Sequence, residues 1–135
     1  MKLTLTLLFA ALTAQAQLAV TVSPVKVAGQ KAIVPLGMKN NFSEKVESAR
    51  AVCFLLNEQG KMVGQSTKWV IGGTKDRPAL SAGATNAFNF VIASPDSSGF
   101  TSTNLTAKIQ FSRVVLEGGK LADVTKEVSV TLSRK

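Results

Sequence analysis

The residues that could do chemistry in this 135-residue chain form a short inventory: one cysteine, no histidine and eight carboxylates. Cys53 stands inside the apolar run Ala51-Val52-Cys53-Phe54-Leu55-Leu56. A cysteine nucleophile needs a nearby base or positive charge to raise its thiolate fraction. With no histidine, neither a Cys-His pair nor a Ser-His-Asp arrangement can be assembled. Cys53 therefore reads as a small buried hydrophobe, and being single it cannot form an intramolecular disulfide. The carboxylates include Glu44 and Glu47, beside a loop and the start of a strand, and these read as solvated surface. One cysteine and no histidine leave zinc or copper without its usual ligands. Asp96-Ser97-Ser98-Gly99 is too short for the ligand series of a calcium loop and fits an Asx-type turn. Gly72-Gly73-Thr74-Lys75 lacks the full spacing of a phosphate loop, and no helix follows it. The chain reads as non-enzymatic and without a cofactor.

Binding is the remaining class of function. Net charge is +8, which attracts anionic partners in general. The basic residues are scattered, however, and no aromatic is interleaved with them as base stacking requires. The sequence thus argues against nucleic acid and for a solvated basic exterior, with room for weak attraction to anionic envelope material. Trp69 has two readings. It shares alternation with Val63 and Ile71, which points to the core or its rim, but polar Gln65 and Thr67 stand beside it. The other reading makes it a partner contact, together with Lys75 and Arg77 on the following loop.

The N-terminus reads as a targeting signal over residues 1–16. Met1-Lys2 is positive, Leu3 to Thr13 is a short apolar core, and Ala14-Gln15-Ala16 is a small-x-small cleavage site. Cleavage near Ala16 would leave a mature chain from Gln17, exported to the periplasm or the medium, and no stretch is suited to a membrane-spanning helix. Asn41-Phe42-Ser43 and Asn104-Leu105-Thr106 match the glycan acceptor pattern.

The remainder, residues 17–135, is long enough for one domain. Apolar residues recur at every second position in seven stretches about a dozen residues apart, with no convincing helix. An edge strand from Leu18 breaks at Pro24 and resumes to Val27. Strands follow over Lys31 to Met38, where Pro35 suggests an edge or a bulge, then Val46 to Leu56, Met62 to Ile71, Thr85 to Ile92, Asn104 to Leu116 and Leu121 to Leu132. The unbroken apolar run at Ala51–Leu56 marks a central strand, and Asn57-Glu58-Gln59-Gly60 turns the chain after it. The expected closure is a seven-stranded antiparallel sandwich of the immunoglobulin or fibronectin type III kind. Alternation assigns Val46, Val52, Phe54 and Leu56 to one face, with Ala49, Ala51, Cys53 and Leu55 on the other. Phe54 and Leu56 are expected in the core, against Phe88, Phe90, Ile109 and Phe111.

The segment from Gly37 to Phe90 resembles the small bacterial FxLYD domain. Asn40 or Asn41 stands in its loop, Phe54-Leu55-Leu56-Asn57-Glu58 at its motif and Gly60 at its turn. Leu80-Ser81-Ala82-Gly83 then precedes a strand with Phe88 and Phe90. Asn57 replaces the motif tyrosine, Glu58 the aspartate and Ala82 the proline. The resemblance implies an exported β-sandwich accessory or binding module and brings no catalytic residue. Such a module would contact a protein or another envelope macromolecule through edge strands or loops. The alternative is a small inhibitor or chaperone-like binder of an exported enzyme, working through a loop such as Gly72 to Pro78.

Overall fold

The computed structural model describes residues 17–75, 77–95, 98–100 and 104–133. The expected targeting signal at 1–16 and part of the expected turn, Asp96-Ser97, lie outside the described residues. Among the described residues eight strands, rather than seven, form two sheets: β1 Leu18–Val22, β2 Lys26–Ala28, β3 Lys31–Asn40, β4 Val46–Leu56, β5 Met62–Ile71, β6 Thr85–Ala93, β7 Thr106–Leu116 and β8 Val128–Leu132. The larger sheet is built on β3. On one side it pairs antiparallel with β6, on the other with β1 and β2, and β8 lies parallel to β1. The smaller sheet is β5-β4-β7, antiparallel throughout. The inward faces of both sheets join in one apolar core. Among the described residues no helix is long and apolar enough to cross a membrane.

The two prolines explain the extra strand and correct one expectation. Pro24 interrupts the first strand, so β1 and β2 are two short pieces along one flank of β3. Pro35 is in a central strand, not at an edge. It is accommodated because its flanking neighbour is broken at Ser23–Val25, and its carbonyl accepts from the Ser23 amide at 3.0 Å. In an antiparallel strand a residue's N and O point to the same side. The donor that proline lacks therefore falls where no strand is present to accept it.

The expected core face of β4 is inverted. Ala49, Ala51, Cys53 and Leu55 are fully buried, whereas Val52, Phe54 and Leu56 lie half-buried on the outer face. Val46 is buried as well, although parity assigns it to the Phe54 face. An irregularity between Val46 and Ser48 shifts the alternation by one. Small residues suit the inner face because the opposite sheet fills the space with Phe90, Leu36 and Met38. Phe90, Ile109 and Phe111 are buried as expected, and Phe88 lies half-buried at the rim.

The last segment also departs from expectation. Leu121 pairs with Val115 and Ala122 donates to the Val114 carbonyl, as a hairpin would require. The chain then turns away. Asp123 Oδ1 accepts from the Thr125 amide at 3.0 Å and its hydroxyl at 2.7 Å, and Glu127 Oε1 accepts from the Asp123 amide at 2.8 Å. This reciprocal turn lifts the chain into the other sheet, so β8 begins at Val128 and pairs with β1, not β7. Strong hydrogen bonds to its ionised form hold the exposed Asp123 carboxyl below its ordinary value.

Candidate interaction surfaces

The residues that resemble a motif form a structural clamp. Asn40 is fully buried at the end of β3. Its amide donates to the Glu44 and Leu80 carbonyls, both at 3.0 Å, and its Oδ1 accepts from the Phe42 amide at 2.8 Å. Its backbone carbonyl accepts from the Gly83 amide at 2.7 Å, and Leu80 bridges Val46. The 40–46 loop and the Leu80–Gly83 turn are thereby locked together, with Phe42 seated in the core. After β4, Asn57 Oδ1 accepts from the Gln59 and Lys61 amides at 2.9 Å, and Gly60 takes the positive φ that the turn needs. Glu58 Oε2 accepts from Asn104 Nδ2 at 2.8 Å, tying this turn to the approach to β7. Phe88 and Phe90 meet edge to face, 5.2 Å between ring centres.

Trp69, Lys75 and Arg77 do not form one exposed contact group. Trp69 is on the outer face of β5, outside the core, because the ladder is irregular at Ala49/Arg50 and lets Val70 and Ile71 both turn inward. One side of its indole is packed on Gly73, whose positive φ and lack of a Cβ allow the approach; a Cβ there would fall on the ring. The Arg50 guanidinium lies 5.8 Å from the ring centre. Arg77 turns back into the protein. Its Nη1 donates to the Trp69 carbonyl at 2.8 Å, and its guanidinium covers Phe88 at 5.0 Å. Lys75 is exposed. The two ends of the 72–78 loop are braced, with the Gly72 amide on the Pro78 carbonyl at 3.2 Å.

The two flanks of the molecule differ. On the β5/β6 flank, Gly64 packs against Ile92 and Arg77 caps Phe88, so the core is covered. The β5 edge also carries Lys68 opposite buried Ala51, a charge on the core-facing side that discourages strand addition. On the β7/β8 flank, among the described residues, no strand pairs with the outer edge of β7. A cleft of about 400 Å³ opens there between Ile109–Phe111 and the segment carrying Val124, Val128 and Val130. A smaller depression of about 170 Å³ continues it between Leu105–Ala107 and Leu132. Val130 and Leu132 are opposite Val20 and Val22, which are buried, yet are 36% and 62% exposed because none of the described residues covers them from the β7 side. The result is an apolar furrow beside unpaired backbone. Sequence reasoning missed it because it treated Leu121 to Leu132 as one strand; the sequence Asp123-Val124-Thr125-Lys126-Glu127, a local turn former, is the signal that could have revealed the departure.

Cys53 is walled in by the core, and burial pushes its thiol from 9.0 up to about 12. Among the described residues no three His, Cys, Asp or Glu side chains gather where a metal ion could be held.

No protein-family model matches the chain, and no curated protein sequence matches it. Among solved structures, the chain is similar to IrmA from Escherichia coli, with a TM-score of 0.54 at 9% identity over 86% of this chain and 92% of that one. A structural genomics target, SoR45, aligns with a TM-score of 0.41 at 9% identity over 80% of this chain and 77% of that one. Bacteroides uniformis β-glucuronidase 2 aligns with a TM-score of 0.39 at 18% identity, over 78% of this chain but 12% of the enzyme. The likeness to IrmA is one of fold.

Proposed function

We propose that this protein is an exported, non-enzymatic binding or accessory module of the cell envelope, and that it grips an extended polypeptide segment of its partner along the free edge of β7. The observation that carries this reading is the furrow. An unpaired strand edge offers backbone donors and acceptors at a fixed repeat, and an adjoining apolar trough takes every second side chain of an added strand. The reading includes the immunoglobulin or fibronectin type III kind of sandwich, in which β1 and β2 count as one broken strand, and the FxLYD kind of module. The Asn40 clamp supports the latter, since it gives the resembling residues a shared structural purpose. Export rests on the N-terminal pattern at 1–16. The inhibitor reading is favoured by one observation, the bracing of the 72–78 loop around exposed Lys75, because a preformed loop binds at lower entropic cost.

A display library of linear 12-residue peptides, selected against the folded protein, separates the two. Strand capture predicts binders with apolar residues at alternate positions that fail on Val130→Lys, which places a charge in the furrow, and that tolerate Lys75→Ser. Binders without that alternation, indifferent to Val130→Lys, would sink strand capture; dependence on Lys75 would favour the loop.

A further inference from the structure

The outer face of the smaller sheet is a second surface, separate from the β7 edge. Arg50 and Arg113 stand directly opposite each other on β4 and β7, and both are exposed. Like charges in such a cross-strand pair repel and cost stability unless something answers them. Among the described residues no carboxylate forms an ion pair with either arginine: the outward positions around the pair are Ser48, Val52, Trp69, Gln110, Ser112 and Val115. Lys108, opposite Phe54, adds a third cation four residues along β4 from Arg50, about 13 Å at the usual rise per residue. Arg50 moreover lies over the Trp69 ring, and Gly73 packs closely against the same indole. Val52, between the arginine pair and Lys108, and Phe54, opposite Lys108, are half-buried on this outer face.

We infer that this face binds a linear acidic polysaccharide. Cations this far apart along one line suit repeated anionic groups on a chain rather than one small anion. Val52 and Phe54 offer an apolar strip to the C–H faces of sugar rings between the charged groups, and Gln65, Thr67 and Gln110 flank it with hydrogen-bonding groups. A single-stranded nucleic acid fits less well. It needs exposed rings for successive bases, whereas the half-buried Trp69 ring already engages Gly73 and Arg50 and Phe54 is itself half-buried.

The test uses a heparin-derived dodecasaccharide as probe, titrated calorimetrically at physiological salt. Arg50→Gln with Arg113→Gln should weaken binding about 30-fold, as the loss of two charge-assisted contacts implies. Lys26→Gln with Lys31→Gln, the same charge change on the other sheet, should weaken it less than about threefold. Amide shifts in the unsubstituted protein, which do not depend on any variant folding, should move at Arg50, Trp69 and Arg113 on titration. Equal losses in the two double variants, shifts confined elsewhere, or no binding at physiological salt would overturn the site. Equal or tighter binding of a 12-nucleotide single-stranded DNA would overturn the ligand class.

Discussion

Replacing Asn40 by alanine should be among the most damaging single changes outside the apolar core. The side chain is fully buried and makes three hydrogen bonds, to the Glu44 carbonyl, the Leu80 carbonyl and the Phe42 amide. Alanine strands all three partners, the Leu80 carbonyl and Phe42 amide in a buried site and the Glu44 carbonyl in a partly buried one, at up to about 1–3 kcal/mol each. Allowing for relaxation and partial hydration, we expect a loss of about 3–5 kcal/mol from a total of about 5–15 kcal/mol for a domain of this size. With a urea dependence of about 2 kcal/mol per molar, the midpoint should fall by about 2 M. Asn40→Asp sharpens the argument. It keeps the acceptor for Phe42 but turns a carboxylate toward two carbonyl oxygens. Burial beside those carbonyls raises the introduced carboxyl's folded-state pKa above its unfolded value, so the folded form binds the proton more readily. This variant should therefore gain stability relative to wild type as pH falls from 7 toward the ordinary carboxylate range, whereas Asn40→Ala should not. Urea melts at both pH values decide. A midpoint shift below about 0.5 M for Asn40→Ala would refute the clamp, and a pH-independent Asn40→Asp would refute its donor role.

The inverted face of β4 predicts that Leu55→Ala costs about 2–5 kcal/mol while half-exposed Phe54→Ala costs about 1–2 kcal/mol; paired urea melts giving the reverse order would restore the opposite face. Cys53, with its thiol pushed to about 12 by burial, should resist a disulfide exchange reagent in the native state at pH 8 and react fully once unfolded in guanidinium. Fast native labelling would show that the site opens. The Asp123 turn carries its own pH signature. Its carboxyl is lowered from 3.8 in the fold, so its stabilisation is present above the ordinary value and lost as pH falls through the lowered one. The melting temperature of Asp123→Ala should fall below wild type at neutral pH, with the gap narrowing as pH falls below the ordinary carboxylate range.

Strand periodicity was legible because period-two alternation and turn chemistry are local. Met62–Ile71 has the expected bounds, and the other strands except the last lie within a few residues of theirs. Which face of β4 points inward was not legible. Alternation separates Phe54 and Leu56 from Ala51 and Cys53 but does not say which set faces in; the opposite sheet fills the space above the smaller set, and the irregularity before Ser48 broke the parity that tied Val46 to Phe54. Arg77 read as a surface cation from its loop composition; only the tertiary fold shows that it caps Phe88. The furrow depended on which sheet the last strand joins, a choice made by the hydrogen bonds of Asp123 and Glu127. The Arg50–Arg113 pair depended on register across 63 positions, which alternation in either strand alone cannot supply.

Amide-resolved hydrogen exchange along β7 tests the central claim most directly. Free protein should show alternating protection over residues 106–111, slow where amides point to β4 and fast where they point to the furrow. A saturating alternating apolar peptide from the library should slow the fast set and leave the amides of β5 and of residues 72–78 unchanged. Uniform slow exchange of 106–111 in the free protein, or protection that appears on β5 or the 72–78 loop instead, would contradict the account.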